Sequence, residues 1–269
     1  MIDPIIAIIF SYLETIELIG LCRSEVNYRT ITQKFIKEFE LRNPYYLITE
    51  EDISYLKGIR IINLYDCPQI TDDCLKYLEG VHTINLYNCH KITDGGLSYL
   101  KDAHTINLGA CTQITSHGLS CLKSPCEIDL SFCHQVTDAH LKYCHSVPII
   151  SLFNCYRITD HGLKYLKDVH TIDLSGCSQI TDDGLVYLKG VHTISLSECP
   201  RITNDGLVNL KGVHTIDLSF CKQITDDGLV HLKGVHKIHL YGCTKITDQG
   251  IKYLKDTVVH GMLHLGRKE

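Results

Sequence analysis

Apolar residues return along this chain every 22 positions. Isoleucine stands at 62, 84, 106, 128, 150, 172, 194, 216 and 238, and leucine two places after each. Cysteine follows at 67, 89, 111, 133, 155, 177, 199, 221 and 243, and threonine four places after each cysteine. Nine copies run from Ile59 to Asp256 without an insertion. Within a copy the spacing changes. Val81, Ile84 and Leu86 end in period-two alternation, which predicts a short strand with these side chains inward. Thr93 and Asp94, both good N-cap residues, precede Leu97 and Leu100 at helical spacing and predict a short helix. Gly80, Gly190, Gly212 and Gly234 then fall where a left-handed residue closes a helix. Each copy reads strand, loop, short helix, turn.

One copy alone has no second layer to cover Val81, Ile84, Leu86, Cys89, Ile92, Leu97 and Leu100. Stacking copies at about 4.8 Å pairs each strand with the next and closes the core from both sides. The pattern predicts an α/β solenoid with parallel strands on one side and short helices on the other. Its ends are readable too. Ile48 to Gly58 matches Ile70 to Gly80 one period on, so residues 37–58 form an N-terminal half-repeat or cap, with Phe39 and Leu41 as a degenerate strand. Val258, Val259, Met262, Leu263 and Leu265, within 257–269, suggest an eroded last strand, out of phase by a few residues.

Residues 1–36 leave the comb. Asp3-Pro4 reads as N-cap and first helical position, and Ile5, Ile6, Ile9, Phe10 and Leu13 make an apolar helical face. A second helix starts near Thr15 and carries Ile16, Leu18 and Ile19. Val26, Tyr28, Phe35 and Ile36 indicate a third.

Charge and cysteine content narrow the class. A net charge of -5 offers no basic field for a phosphate backbone, so nucleic acid is not expected as a partner. Nine of the 14 cysteines lie on the comb, which repeat architecture explains without disulfides. Met1-Ile2-Asp3-Pro4 lacks the basic stretch of a signal peptide, and no apolar run approaches the roughly 20 residues that span a bilayer. The expectation is a cytoplasmic or nuclear protein with reduced thiols and no membrane contact.

The repeated polar residues invite chemistry, and each has a plainer reading. Nine cysteines in a parallel row cannot meet disulfide geometry, and no Cys-x-x-Cys occurs; they fill core space and donate weakly to backbone. Histidine recurs at 82, 104, 170, 192, 214 and 236. Because Cys126 and Pro148 interrupt the series, it reads as a copied turn residue rather than a pH sensor. His140 and Cys144, with Cys133, His134 and His145 nearby, have zinc-like spacing, but they occupy the glycine and leucine places of the repeat and face different surroundings. Neither metal nor cofactor is expected. No nucleophile–base set, phosphate loop or carboxylate pair emerges, so the chain is not expected to be an enzyme. Tyr65, Tyr87, Phe132, Phe153, Phe220 and Tyr241 read as outward strand positions, interleaved with Asn85, Asp129, Asp173, Glu198 and Asp217. Exposed rings are either binding hot spots or partners for one another along the stack, and both readings stay open.

The motif Leu-x-x-Leu-x-Leu-x-x-Cys followed by Ile-Thr-Asp-x-Gly-Leu, over 59–256, resembles the cysteine-containing leucine-rich repeat. That resemblance implies a right-handed, curved solenoid with its sheet on the concave side. The family's repeat is usually a few residues longer, so these helices should be short. Ile9-Phe10-Ser11-Tyr12-Leu13, with Glu17-Leu18 and Leu21, resembles an F-box, and Tyr28 falls where that family commonly has tryptophan. This second resemblance implies that residues 1–36 dock a Skp-type adaptor, and through it a cullin, using Ile9, Phe10, Leu13, Leu18 and Tyr28. The concave face would hold an unidentified target protein for ubiquitin transfer by partner enzymes, the chain itself being monomeric outside the complex. The other reading is a repeat scaffold with no ubiquitin role, whose first helices only cap the stack.

Overall fold

The computed structural model describes residues 13, 15–41, 48–123 and 125–261. They fall into two compact units, Met1–Asp129 and Leu130–Glu269.

The first unit opens with α1 (Thr15–Ser24) and α2 (Val26–Phe35), separated at Glu25, whose backbone is extended (φ -148°, ψ 136°). The helix expected from Asp3 lies outside the described residues. Five strands follow: β1 (Glu38–Glu40), β2 (Ile61–Asn63), β3 (Thr83–Asn85), β4 (Thr105–Asn107) and β5 (Glu127–Asp129). Each is parallel to its sequence neighbour, and the register sets Phe39, Ile62, Ile84, Ile106 and Ile128 in one row. A helix, Glu50–Ser54, follows β1, so residues 37–58 carry a strand at Phe39 together with a helix.

The second unit holds β6 (Ile149–Ser151), β7 (Thr171–Asp173), β8 (Thr193–Ser195), β9 (Thr215–Asp217), β10 (Lys237–His239) and β11 (Val258–His260), again parallel and in chain order. Val259 pairs with Ile238, so the last strand is one residue short of the period rather than several. Asp256 (φ 63°) keeps the left-handed closure of the earlier coils, and the strand begins two residues after it instead of three. Met262, Leu263 and Leu265 lie outside the described residues.

The repeated apolar side chains are the core. Ile62 and its eight successors are at most 2% exposed, and the leucines after them are equally covered. The helices are four residues long, as in Asp72–Leu75, and several tighten into a 3-10 turn such as Lys76–Leu78. A 22-residue coil leaves no chain for more. Gly80, Gly190, Gly212 and Gly234 have φ between 84° and 88°, the left-handed closure expected of them, and Gly58 at 86° shares it.

Polar residues fix the spacing between coils. Threonine is the N-cap: Thr181 Oγ1 accepts from Asp183 N–H at 3.3 Å. The aspartate after it serves the next coil. Asp160 Oδ1 accepts from Thr181 N–H at 2.8 Å and its Oδ2 from the Thr181 hydroxyl at 2.6 Å. Asp72, Asp94, Asp138, Asp182 and Asp226 repeat this bridge to Thr93, Thr115, Thr159, Thr203 and Thr247. The carboxylate occupies the space a Cβ would need at the third helical residue of the next coil, which is why glycine stands at 96, 118, 162, 184, 206 and 250, and the Asn204 amide does the same at Gly228. Cys74 is an informative exception. The residue 24 before it is Glu50, whose carboxylate turns away to Lys76 Nζ at 2.7 Å and leaves room for a side chain.

The cysteines do what the plain reading expects. All nine on the comb are buried and unbridged. Cys89, Cys111, Cys155, Cys177, Cys199, Cys221 and Cys243 each donate from Sγ to the leucine carbonyl of the coil before, at 3.0–3.2 Å. Burial pushes the Cys67 and Cys243 thiols up to about 11 and raises Cys89, Cys177, Cys199 and Cys221 as well.

Candidate functional site

Beyond the core, each coil presents the two outward residues of its strand and the turn that follows. The third strand residue is Asn63, Asn85, Asn107, Asp129, Ser151, Asp173, Ser195, Asp217 or His239. Where it is Asn or Asp the side chain can fold over its own turn: Asn85 Oδ1 accepts from Tyr87 N–H at 3.0 Å, and Asp173 and Asp217 accept from Ser175 and Ser219 N–H at 2.8 Å. These three residues, expected to face a partner, therefore spend one oxygen holding the backbone. Asp129 sits at the equivalent place, half-buried.

Two residues past this column come Tyr65, Tyr87, Phe153 and Tyr241. Phe132, Phe220 and Glu198 do not share it, contrary to expectation. They lie one position further on, in the turn, where the backbone is left-handed (φ 60°, 61° and 57°). The alternation ends with the leucine, so a residue that strict period two would point inward swings out instead. Asp66, Asn88, Ala110 and Asn154 share that conformation in their coils.

The rings form two groups. In the first unit Tyr65 stacks on Tyr87 with centroids 5.0 Å apart and planes 7° from parallel. The Tyr87 ring lies over Gly109, where an added Cβ would sit 2.6 Å from its Cδ2. In the second unit Phe132 meets Phe153 edge to face at 4.9 Å, and Phe220 covers Gly242 in the same way that Tyr87 covers Gly109. The rings pack along the stack, yet Tyr65, Phe220 and Tyr241 stay 41–48% exposed.

The expected adaptor residues are divided. Leu18 is buried (4%), with Ile19 and Cys22 beside it on α1, and is not available to a partner. The reason is that α1 and α2 turn their apolar faces to the first coil. Arg23 Nε and Nη2 grip Asp52 at 2.8 and 2.6 Å, Gln33 Nε2 donates to the Ser54 carbonyl at 3.2 Å, and the Arg29 guanidinium lies 4.2 Å over the Tyr55 ring. Burial works to raise the Asp52 carboxyl, but Arg23 together with the Thr49 N–H and hydroxyl outweighs it and holds it below the usual range. Leu13 and Tyr28 are half-buried, and Ile9 and Phe10 lie outside the described residues.

The metal-like cluster is not assembled. His140 Nδ1 lies 3.2 Å from both Thr137 N and Oγ1, capping its own helix, while Cys144 is buried in the leucine place, its thiol raised to about 12 by burial. Among the described residues no three of His, Cys, Asp or Glu are grouped to hold a metal. No helix among them is long and apolar enough to cross a membrane. The histidine column is more ordered than a copied residue requires: His170, His192, His214 and His236 stack with centroids 4.5–4.7 Å apart, and His82 stacks on His104. Sequence reasoning passed over the lysines at 167, 189, 211, 233 and 255, three residues before that column, although they carry the same 22-residue signal.

A parallel strand ladder with a short helix per coil, and leucine, isoleucine and cysteine at fixed phase within, is the leucine-rich-repeat fold. The family model described as Leucine Rich repeat matches residues 165–189 and 213–233. No curated protein matches the chain in sequence. Among solved structures, a chain of the Rad7–Elc1 complex in yeast is similar with a TM-score of 0.53 at 14% identity, covering 96% of this chain and 92% of that one. A chain of the TLR13–ssRNA13 complex gives a TM-score of 0.64 at 14% identity over 87% of this chain and 37% of that one. A chain of the Drosophila Toll–Spatzle complex gives 0.60 at 14% identity over 83% and 35%. At such identities the likeness is one of fold.

Proposed function

We propose that the chain is a non-catalytic protein-recognition subunit that holds a target on the strand face through its half-exposed rings. The observation that carries this is the exposure of Phe220 and Tyr241 in the turns that follow neighbouring strands of the second unit. Such rings bring large apolar area to an interface at little entropic cost, and a rigid ladder below them leaves little to be ordered on binding. The partner is a folded protein surface or an extended segment lying across several coils.

The finer reading is that residues 1–36 dock a Skp-type adaptor, making the chain the target receptor of a Skp–cullin–F-box ubiquitin ligase. It is supported by the F-box resemblance and by two helices lying directly before the first coil. With Leu18 turned inward, the contact falls to Ile9, Phe10, Leu13 and Tyr28. The competing reading, that these helices only cap the stack, is favoured by the Arg23–Asp52 grip. Pull-down of a purified Skp adaptor by the full chain separates the two. The receptor reading expects capture that Phe10→Ala abolishes while the circular dichroism melt is unchanged. No capture by the unaltered chain leaves the scaffold reading. For the strand face, Phe220→Ser with Tyr241→Ser should cut target capture from lysate at least tenfold, about 1.4 kcal/mol; unchanged capture rejects the face.

A further inference from the structure

The four stacked histidines of the second unit lie beside a row of lysines, and together they form a strip that differs in charge from the rest of this acidic chain. Lys167, Lys189, Lys211, Lys233 and Lys255 recur with the coils, Lys237 follows His236 directly, and all but Lys237, which is half-exposed, are exposed. Asp168 and Asp256 follow Lys167 and Lys255 directly, and Asp173 and Asp217 stand on the strands that follow His170 and His214. None of the six lysines forms an ion pair among the described residues. In the first unit the same column is neutralised instead: Lys101 pairs with Glu79 and Lys123 with Asp102, each at 3.2 Å.

The rings are oriented as well as stacked. His192 Nδ1 and His214 Nδ1 each meet the hydroxyl of the next residue, Thr193 and Thr215, at 3.2 Å. That contact leaves Nε2 of both rings as the group turned to a ligand. Crowding has an electrostatic consequence. Partial burial first, then the flanking His214 and His170 rings, hold His192 below the ordinary histidine range. Protonating the stack therefore sets four like charges at about 4.6 Å beside six lysines, a field that an anion would relieve.

We propose that this strip is a second interaction surface, separate from the rings of the strand face, and that it takes a short acidic segment of a protein, with affinity that rises as pH falls. Four stacked rings span about 14 Å, which an extended peptide covers in four or five residues at roughly 3.3 Å each. A short acidic segment fits better than a nucleic acid. The strip has neither an arginine fork nor a ring free to stack on bases, and a chain of net charge -5 repels a long polyanion beyond the strip. Imidazoles gain charge as pH falls, whereas glutamate side chains stay ionised until the pH nears their own lower range, so the attraction grows on mild acidification.

The test is fluorescence anisotropy of labelled hexaglutamate with the full chain, at low salt, at pH 7.5 and pH 5.5. Binding should tighten about tenfold at the lower pH, since two or more new cations face the peptide. Lys189→Ser with Lys211→Ser should weaken binding at both pH values. His192→Gln with His214→Gln should remove the pH increment and leave the pH 7.5 value unchanged. Both pairs lie at exposed positions, and an unchanged circular dichroism melt at pH 7.5 confirms their fold. The proposal is overturned if affinity is the same at both pH values, if the lysine pair has no effect, or if a thymidine oligonucleotide of equal charge binds as tightly.

Discussion

Replacing Gly184 with alanine would stabilise an isolated helix by about 1 kcal/mol. Here it should do the opposite. A Cβ built at Gly184 collides with Asp160 Oδ1 and comes within 3.0 Å of Asp160 Cγ and Leu163 Cδ1. Asp160 cannot withdraw without releasing Thr181 N–H (2.8 Å) and the Thr181 hydroxyl (2.6 Å). Hydrogen bonds to a charged group contribute about 1.5–3 kcal/mol each. Losing much of both, offset by the helical preference of alanine, leaves a destabilisation of about 2–4 kcal/mol. The same bridge is lost in Asp160→Ala, but there the added methyl has no carboxylate to strike. The double variant Asp160→Ala/Gly184→Ala should therefore cost little more than Asp160→Ala alone. Repeat proteins unfold by coils as well as globally, so urea titration should be joined by hydrogen exchange at the Thr181 amide, which reports this bridge directly. A Gly184→Ala protein at least as stable as the parent, or single costs that add to within about 0.5 kcal/mol, would refute the reasoning.

Other expectations follow from the same geometry. Alkylation with iodoacetamide at pH 8 should label Cys121 and Cys126, the half-exposed thiols, well before the comb cysteines, whose burial raises their pKa; equal labelling of Cys177 by mass spectrometry would contradict this. Arg23→Ala strands the buried Asp52 carboxylate and should cost about 2–3 kcal/mol in urea, less than for a wholly dry pair because Arg23 is 43% exposed. Because Asp52 is held low, the stability it lends is present above pH 4 and fades as pH falls through its folded value; an acid limb identical in Asp52→Asn would count against it. His192 is also depressed, so the unfolded chain takes up the proton first. Stability should be full above pH 7 and decline as pH falls below 6.5, and His192→Gln should flatten that limb of the thermal melt.

Much of this protein is legible in its residue order because the period is strict. A 22-residue comb places Ile, Leu and Cys inward whatever the partner coil is, since each coil can bury them only against a copy of itself. Helix length follows from how little chain remains, and Gly80 and Gly190 mark closure because only glycine adopts that backbone without strain. Three features needed the folded chain. The expected strand column ran on into Phe132 and Phe220, because nothing local shows that alternation stops at the leucine and the turn becomes left-handed. Leu18 was implied as a contact residue by the F-box resemblance, and helical spacing shows only that a face is apolar, not whether it meets a partner or the first coil. Glycine at 184 and aspartate at 160 are 24 residues apart, and only stacking brings the carboxylate against the missing side chain. Periodicity thus determines what lies inside each coil. What passes between coils, and which exposed groups are left over for a partner, is decided by contacts that exist only once the coils are stacked.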